Sequence, residues 1–484
     1  NYRLGALGFL ALPELRQRES SMEGVDAGTG NYGTQDQRAA LRWVQQNIRA
    51  FGGDSNKVTL MGESSGATIA SVHTVLPKSF GLFRSAIASS GAFNTWSAKN
   101  LSHAYANGRA FAHNLGCAQF GSDVDIECLV KIDAETLASF GDDCGGNATA
   151  QVNNLPYADQ VDASTWGPTL DGVEMDTHPA ILLAEGKLSP SLTSFLLGSN
   201  RDEGATFAYF QTGHGGNERS TTDFYKSPVL PYSQWAHSTP PFDPRLKPFV
   251  LQNMSNFVHW ASQWFSNTND PVGLPQRLAK MACYRPTKTP STPPGGFDPP
   301  AGNGSGLPDW WWSVTRVIGD DVVGCSTARA AQLLANLSSV QTYRYFFNHT
   351  PLFSVNENAN LGAFHGSEVP FTWGDSFELL GDGESALSEA MVEYWTNFAW
   401  SGDPNVGAPV RNAAAAATSS SSAATRWPEY TAATPTTLVF GNGDRASPTS
   451  TPNVSRVERF KELDCAWWPS AHPELYPSNL GAHE

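Results

Sequence analysis

Apolar and polar residues alternate along this chain in two rhythms. In "DQRAALRWVQQNIRAFGGD", Ala39, Ala40, Trp43, Val44, Asn47 and Ile48 recur at helical spacing, and Gly52–Gly53 marks a stop. The stretch "KVTLM" then predicts a short buried strand, and "ATIASVHTVL" returns to the helical period. "FRSAIASSG" predicts another strand ending at Gly91. "LTSFLLGSNRDEG" predicts a strand running into a loop, and "VQTYRYFFNHT" a strand rich in β-branched and aromatic residues. "SALSEAMVEYWTNFAWSG" predicts a helix whose inner face holds Leu387, Ala390, Met391, Tyr394, Trp395 and Phe398. The opening run "NYRLGALGFLAL" reads like the inside of a strand. Strands alternating with helices predict an α/β sheet.

Two stretches break these rhythms. Residues 285–309 are rich in Pro, Gly and Ser, and residues 412–425 are a low-complexity run of Ala, Ser and Thr. Neither can bury much apolar surface, so both read as surface loop insertions in one domain spanning 1–484.

Composition narrows the function. Of 484 residues, 40% are hydrophobic, enough for a sizeable core. The net charge of −15 opposes binding to nucleic acid or anionic membranes. No apolar run reaches the ~18–20 residues of a transmembrane span. The six cysteines form no Cys-x-x-Cys pair and no His-Glu-x-x-His occurs, so no metal site is expected. Six is an even number, compatible with disulfides in an oxidising compartment. Seven Asn-x-Ser/Thr sequons, at Asn100, Asn147, Asn253, Asn303, Asn336, Asn348 and Asn453, lean the same way.

The candidate chemistry lies in "KVTLMGESSGATIA". With 44 glycines in the chain, a Gly-x-Ser-x-Gly string is expected by chance roughly 0.3–0.4 times, so its context must decide. That context is a strand, a tight turn at Ser64 and a helix, the arrangement that presents a nucleophilic serine. Side chains two residues before and after would collide in such a turn, which fits Gly62 and Gly66. The following helix would aim its positive end at a developing oxyanion, with the Ser65 N–H as one donor. A serine hydroxyl needs a base, and the base an orienting carboxylate. Downstream, "FLLGSNRDEGATF" offers Glu203 after a strand and "LGAFHGSEVPFTWG" offers His365 in a loop.

Six blocks in this order, "NYRLGALGFL", "GNYGTQDQRAALRWVQQNIRAFGGD", "VTLMGESSGA", "GSNRDEG", "FHGSEVPF" and "EYWTNFAWSGDPN", resemble the type B carboxylesterase/lipase family, the cholinesterase-like esterases of the α/β-hydrolase fold. The resemblance runs from residue 1 to about residue 470 apart from the insertions. It implies a central, mostly parallel sheet flanked by helices. It also implies Ser64 as nucleophile, Glu203 as orienting acid and His365 as general base in ester hydrolysis through an acyl-enzyme, without a cofactor. The implied substrate is a small-molecule or lipid ester, and the implied location is secreted or the secretory lumen. Glu63 and Phe207 are candidates for the surroundings of the triad or the pocket. Ser90 reads equally as a serine supporting the triad or as a plain strand end, and Trp96 as an acyl-pocket wall or a core residue. The resemblance pairs Cys117 with Cys128 and Cys325 with Cys465, whereas Cys144 and Cys283 could pair or stay free.

Two strings imitate these motifs. Gly383–Leu387 ("GESAL") lacks the second glycine and reads as helix capping, and Gly213–Asn217 ("GHGGN") lies downstream of the place where the family carries its oxyanion loop. The family's oxyanion glycines and first strands lie upstream of the matched blocks. Residues 1–484 expressed alone are therefore expected to be N-terminally incomplete, and inactive or insoluble. Thr206 stands where choline esterases carry a cation-binding aromatic; threonine offers no π face, which favours a general carboxylesterase or lipase. The rival reading is a non-catalytic adhesion or scaffold protein on the same fold.

Overall fold

The computed structural model describes residues 1–21, 27–119, 122–141, 166–209, 254–265, 273–281, 284, 309–337, 339–352, 361–375, 379, 381–408, 425–441, 454–461, 465–472 and 475. Apart from Asp309 and Thr425, the two insertions lie outside these residues. So do Cys144, Cys283, the string at 213–217 and the sequons at Asn147, Asn253, Asn303 and Asn453.

Six strands form one sheet, ordered as they occur in the chain: β1 (Thr59–Glu63), β2 (Ser85–Ser89), β3 (Ser194–Asn200), β4 (Gln341–Phe347), β5 (Thr436–Phe440) and β6 (Val454–Glu458). The first five are parallel and β6 is antiparallel to β5. The register sets Glu63 beside Ser89, Ser89 beside Gly198 and Asn200 beside Phe347, so four strands end along one rim. Open parallel sheets place their chemistry at the carboxyl ends of the strands.

The main helices are α1 (Tyr32–Asn47), α2 (Ser65–Val75), α3 (Glu203–Tyr209), α4 (Asp309–Gly319), α5 (Cys325–Ala335) and α6 (Asp382–Ser401). Alternation along each strand divides the core into two layers. Ala86, Ala88, Phe195 and Leu197 pack with Ala67 of α2 and Ala330 and Leu334 of α5. Ile87, Leu196, Tyr345 and Phe440 face α6 and Trp427 on the opposite side. All six apolar positions predicted for the inner face of α6 are buried. Each contributes about 1.5–3 kcal/mol, apart from the smaller alanine. Gly402, at φ +87°, ends that helix.

Four expectations are corrected. The opening run is not a strand: Gly5–Phe9 is a short helix, and Gly8 packs so closely on the Arg3 carbonyl that a Cβ would lie 2.2 Å from its oxygen. Helix α1 ends at Gly52 through a 3₁₀ turn, as the pattern predicts, but buries a different face. Thr34, Arg38 and Leu41 face inward, whereas Trp43 is 50% exposed. Arg38 is drawn inward by Glu174, which it grips with bonds of 2.6 and 2.8 Å. Strand β1 is half-buried along its length, because it pairs only with β2 among the described residues. The "GESAL" string opens α6 without side-chain capping, since the N-cap residue is Gly381. Its Glu384 is buried and accepts hydrogen bonds from His349 Nε2 and the Leu352 N–H. Strands β5 and β6 have no counterpart in the sequence reading.

The disulfides Cys117–Cys128 and Cys325–Cys465 are both present. Between α4 and α5 the helix widens into a π turn, Asp320–Gly324, beside the second bridge. No helix among the described residues is long and apolar enough to cross a membrane.

Candidate active site

Strand β1 turns into α2 through a single residue. Ser64 has φ +57° and ψ −122°, a conformation costing about 1–3 kcal/mol for a non-glycine residue. Close packing enforces it. A Cβ on Gly62 would lie 2.1–2.2 Å from the Gly66 carbonyl group, and one on Gly91 would lie 2.3 Å from the Ser64 carbonyl oxygen. The Ser64 N–H donates to the Ser89 carbonyl at 2.9 Å, tying the turn to β2. The two flanking glycines are not equivalent: the Cβ position of Gly66 is open space, so sterics require glycine at 62 and not at 66.

The sharp turn leaves the hydroxyl facing the strand ends. Ser64 Oγ lies 2.7 Å from His365 Nε2, and His365 Nδ1 lies 2.5 Å from Glu203 Oε2. The other Glu203 oxygen accepts the Asn200 N–H at 2.6 Å, so one oxygen is anchored while its twin faces the ring. Three groups separated by up to 301 residues thus form one hydrogen-bonded line. Ser65 is the first residue of α2, whose N-terminal end carries partial positive charge beside Ser64.

Further carboxylates crowd the ring. Glu63 Oε1 lies 3.4 Å from His365 Nε2. Glu368 is fully buried; its Oε2 accepts from Asn200 Nδ2 at 2.5 Å, and its Oε1 has no hydrogen-bond partner among the described residues. Burial lowers the His365 pKa, but the charge and hydrogen bond of Glu203, reinforced by Glu63 and Glu368, reverse this and raise it to about 9. Burial, aided by the charges of Glu63 and Glu203, pushes Glu368 up to about 8. Glu63 is raised by burial despite the attraction of His365. These carboxyls titrate together with the ring, and each proton one of them takes up weakens the upward pull on the imidazole.

Ser90 is buried at φ +59°; its N–H donates to the Gly198 carbonyl and its hydroxyl has no partner among the described residues. Trp96 is half-buried and packs against the apolar cluster that includes Ala205 and Phe364, neighbours of Glu203 and His365. Phe207 lies in α3, and its side chain falls outside what the structure describes. Thr206 is buried. Asn200, Asp202, Glu368 and Gly91 escaped the sequence reading as site residues, although the first three lie in the blocks that contain Glu203 and His365. Two surface hollows of about 590 and 600 Å³, between Arg277 and Trp467 and between Pro13 and Tyr105, do not include Ser64, Glu203 or His365.

A family model described as "Carboxylesterase family" matches residues 1–246 and 304–460. The chain is 26% identical to acetylcholinesterase 1 of Caenorhabditis elegans over 98% of its own length and 65% of the relative. It is 28% identical to a cholinesterase of Mus musculus over 84% of its length and 56% of the relative. It is 26% identical to an acetylcholinesterase of Leptinotarsa decemlineata over its whole length and 63% of the relative. The chain therefore spans less than two thirds of each of these relatives. With a family model covering most of its residues and a mostly parallel sheet between helical layers, the chain belongs to the carboxylesterase family and has that family's α/β-hydrolase fold.

Proposed function

We propose that the protein is a serine hydrolase that cleaves carboxylic esters through an acyl-enzyme, with Ser64 as nucleophile, His365 as general base and Glu203 as the acid that orients it. The observation that carries this reading is the line Ser64 Oγ–His365 Nε2 and His365 Nδ1–Glu203 Oε2 at the carboxyl rim of the sheet. His365 takes the Ser64 proton as the oxygen attacks the ester carbonyl. The Ser65 N–H, at the positive end of α2, faces the oxyanion. His365 returns the proton to the departing alcohol; water then attacks the acyl group by the same route and regenerates Ser64. Glu203 holds and stabilises the imidazolium formed in each half-reaction.

Specificity points to general carboxylic esters rather than choline esters. Thr206 presents no aromatic face to a cation. Two disulfides support residence in an oxidising, secretory compartment. The test is a fluorophosphonate probe with p-nitrophenyl acetate and butyrate, applied to the protein expressed from its full reading frame. Labelling at Ser64 and hydrolysis lost in Ser64→Ala are expected. A folded protein that neither labels nor hydrolyses would favour the scaffold reading.

A further inference from the structure

Asp202 precedes the proposed acid Glu203 and is fully buried. Its main-chain N–H donates to the Ala363 carbonyl at 2.9 Å, and its carboxylate accepts the Ala363 N–H, also at 2.9 Å. Ala363 stands two residues before His365. Asp202 also forms a parallel bridge with Phe364. One residue thus grips both the loop that carries the carboxylate and the loop that carries the imidazole. The fit leaves no slack: Gly362 passes over the carboxylate at φ +69°, where a Cβ would lie 2.1 Å from Asp202 Oδ2.

Two guanidinium groups hold the carboxylate in place. Arg201 Nε donates to Oδ2 at 2.7 Å, and its other nitrogens donate to Asn348 Oδ1 at 3.1 Å and Thr350 Oγ1 at 2.8 Å, beyond the end of β4. Arg316 of α4, itself buried, places Nη2 2.7 Å from Oδ1. Helix α4 presses on the same loop, since a Cβ on Gly204 would lie 1.8 Å from the Thr315 carbonyl oxygen. Burial opposes ionisation of Asp202, but Arg201, Arg316 and the Ala363 N–H outweigh it and hold the carboxyl below its usual pKa. The acceptor is therefore a charged carboxylate throughout the pH range of an assay.

We propose that Asp202 is a positioning residue: by clamping the backbone ahead of His365 to the backbone ahead of Glu203, it sets the distance between imidazole and acid. It touches neither substrate nor the reacting atoms. The assignment deepens the triad reading above and rests on it. A carboxylate that served only to neutralise Arg316 would not need to reach the Ala363 N–H.

The test separates charge balance from the clamp. Asp202→Ala alone would strand Arg316 and invite misfolding, so the variants are built with Arg316→Met. Asp202→Ala/Arg316→Met is expected to fold and to lose about 10–100-fold in kcat, with KM within about threefold, because an error near 1 Å in catalytic geometry costs about that much. Asp202→Asn/Arg316→Met keeps an oxygen for the Ala363 N–H and is expected to retain kcat within about threefold of wild type. Wild-type kcat in the alanine double variant, or equal losses in both, would overturn the clamp. A readout independent of turnover is the downfield proton NMR signal of His365 Nδ1–H. It is expected to move upfield or broaden in the alanine double variant and to persist in the asparagine one; an unchanged signal in the former would also overturn the clamp. Failure of the wild type to label with fluorophosphonate would instead strike the triad reading, and the NMR signal would still decide the clamp.

Discussion

The two sides of the site are built on opposite principles. Ser64 follows β1, a half-buried strand paired on one edge only among the described residues, and is held by backbone crowding. Glu203 follows β3, a fully buried strand paired on both edges, and is held with His365 by a web of charged and amide side chains. On the serine side shape dictates position, and a methyl group is the threat. On the acid–base side charge dictates position, and the threat is an unpaired proton or ion.

The largest break in this comparison falls on the serine side. Gly62→Ala is expected to lower kcat/KM by at least about 100-fold, because the new methyl would displace the turn at Ser64. Gly66→Ala, with open space before its Cβ, is expected to hold or raise stability by up to about 1 kcal/mol, as an alanine in a helix does. Urea unfolding with ester turnover distinguishes the pair; equal damage from both would remove the steric asymmetry. The next largest effect tests whether α1 relies on charge. Glu174→Ala strands the buried Arg38 and is expected to cost about 3–5 kcal/mol in urea unfolding, without changing kcat of the folded fraction.

Smaller effects sharpen the electrostatic side. With His365 as the proposed base, turnover would need its neutral form, so kcat/KM is expected to rise with pH through an apparent pKa above the ordinary value near 6.5. Glu63→Gln removes a negative charge 3.4 Å from the ring and is expected to move that acid limb about 0.5–1 pH unit lower. An unmoved limb would place the proton elsewhere. Glu368→Gln is the mildest change, with kcat expected within about twofold. Its signature lies in stability. The folded-state pKa of Glu368 is raised, so the native state binds more protons than the unfolded chain between about pH 4.5 and 8, and the wild type loses stability as pH rises through that window. Glutamine does not titrate. The Tm advantage of the variant is therefore expected to grow from near zero at pH 4 to its maximum near pH 8, and a constant gap would refute the neutral carboxyl.

The same contrast explains what the sequence disclosed. Strands β2 to β4 and helix α6 follow from periodicity, because burial of apolar side chains decides them, whereas β1 is only half-buried. Ser64, Glu203 and His365 stand out because each sits in a compact block with a steric or chemical reason on its face. The face of α1 was hidden because the side chain that turns inward is Arg38, and its partner Glu174 lies 136 residues away. The opening helix was hidden for a related reason: close approach of the Gly33 backbone to the Phe9 ring, not a repeating pattern, holds Gly5–Phe9 in place. Asp202 and Glu368 could be seen as letters beside the motifs, but a carboxylate in a sequence shows neither its burial nor the cation or amide it meets.

The Cys325–Cys465 bridge closes a loop of 140 residues, worth about 5 kcal/mol in the chain-entropy model. His365 and the Ala/Ser-rich run at 412–425 lie within that loop, whereas Ser64 and Glu203 precede it. A proteolytic nick in the Ala/Ser-rich run would therefore yield two polypeptides that still migrate as one band on a non-reducing gel. The fragment bearing the imidazole would stay tethered through sulfur to the one past the cut, and only a reductant would separate them.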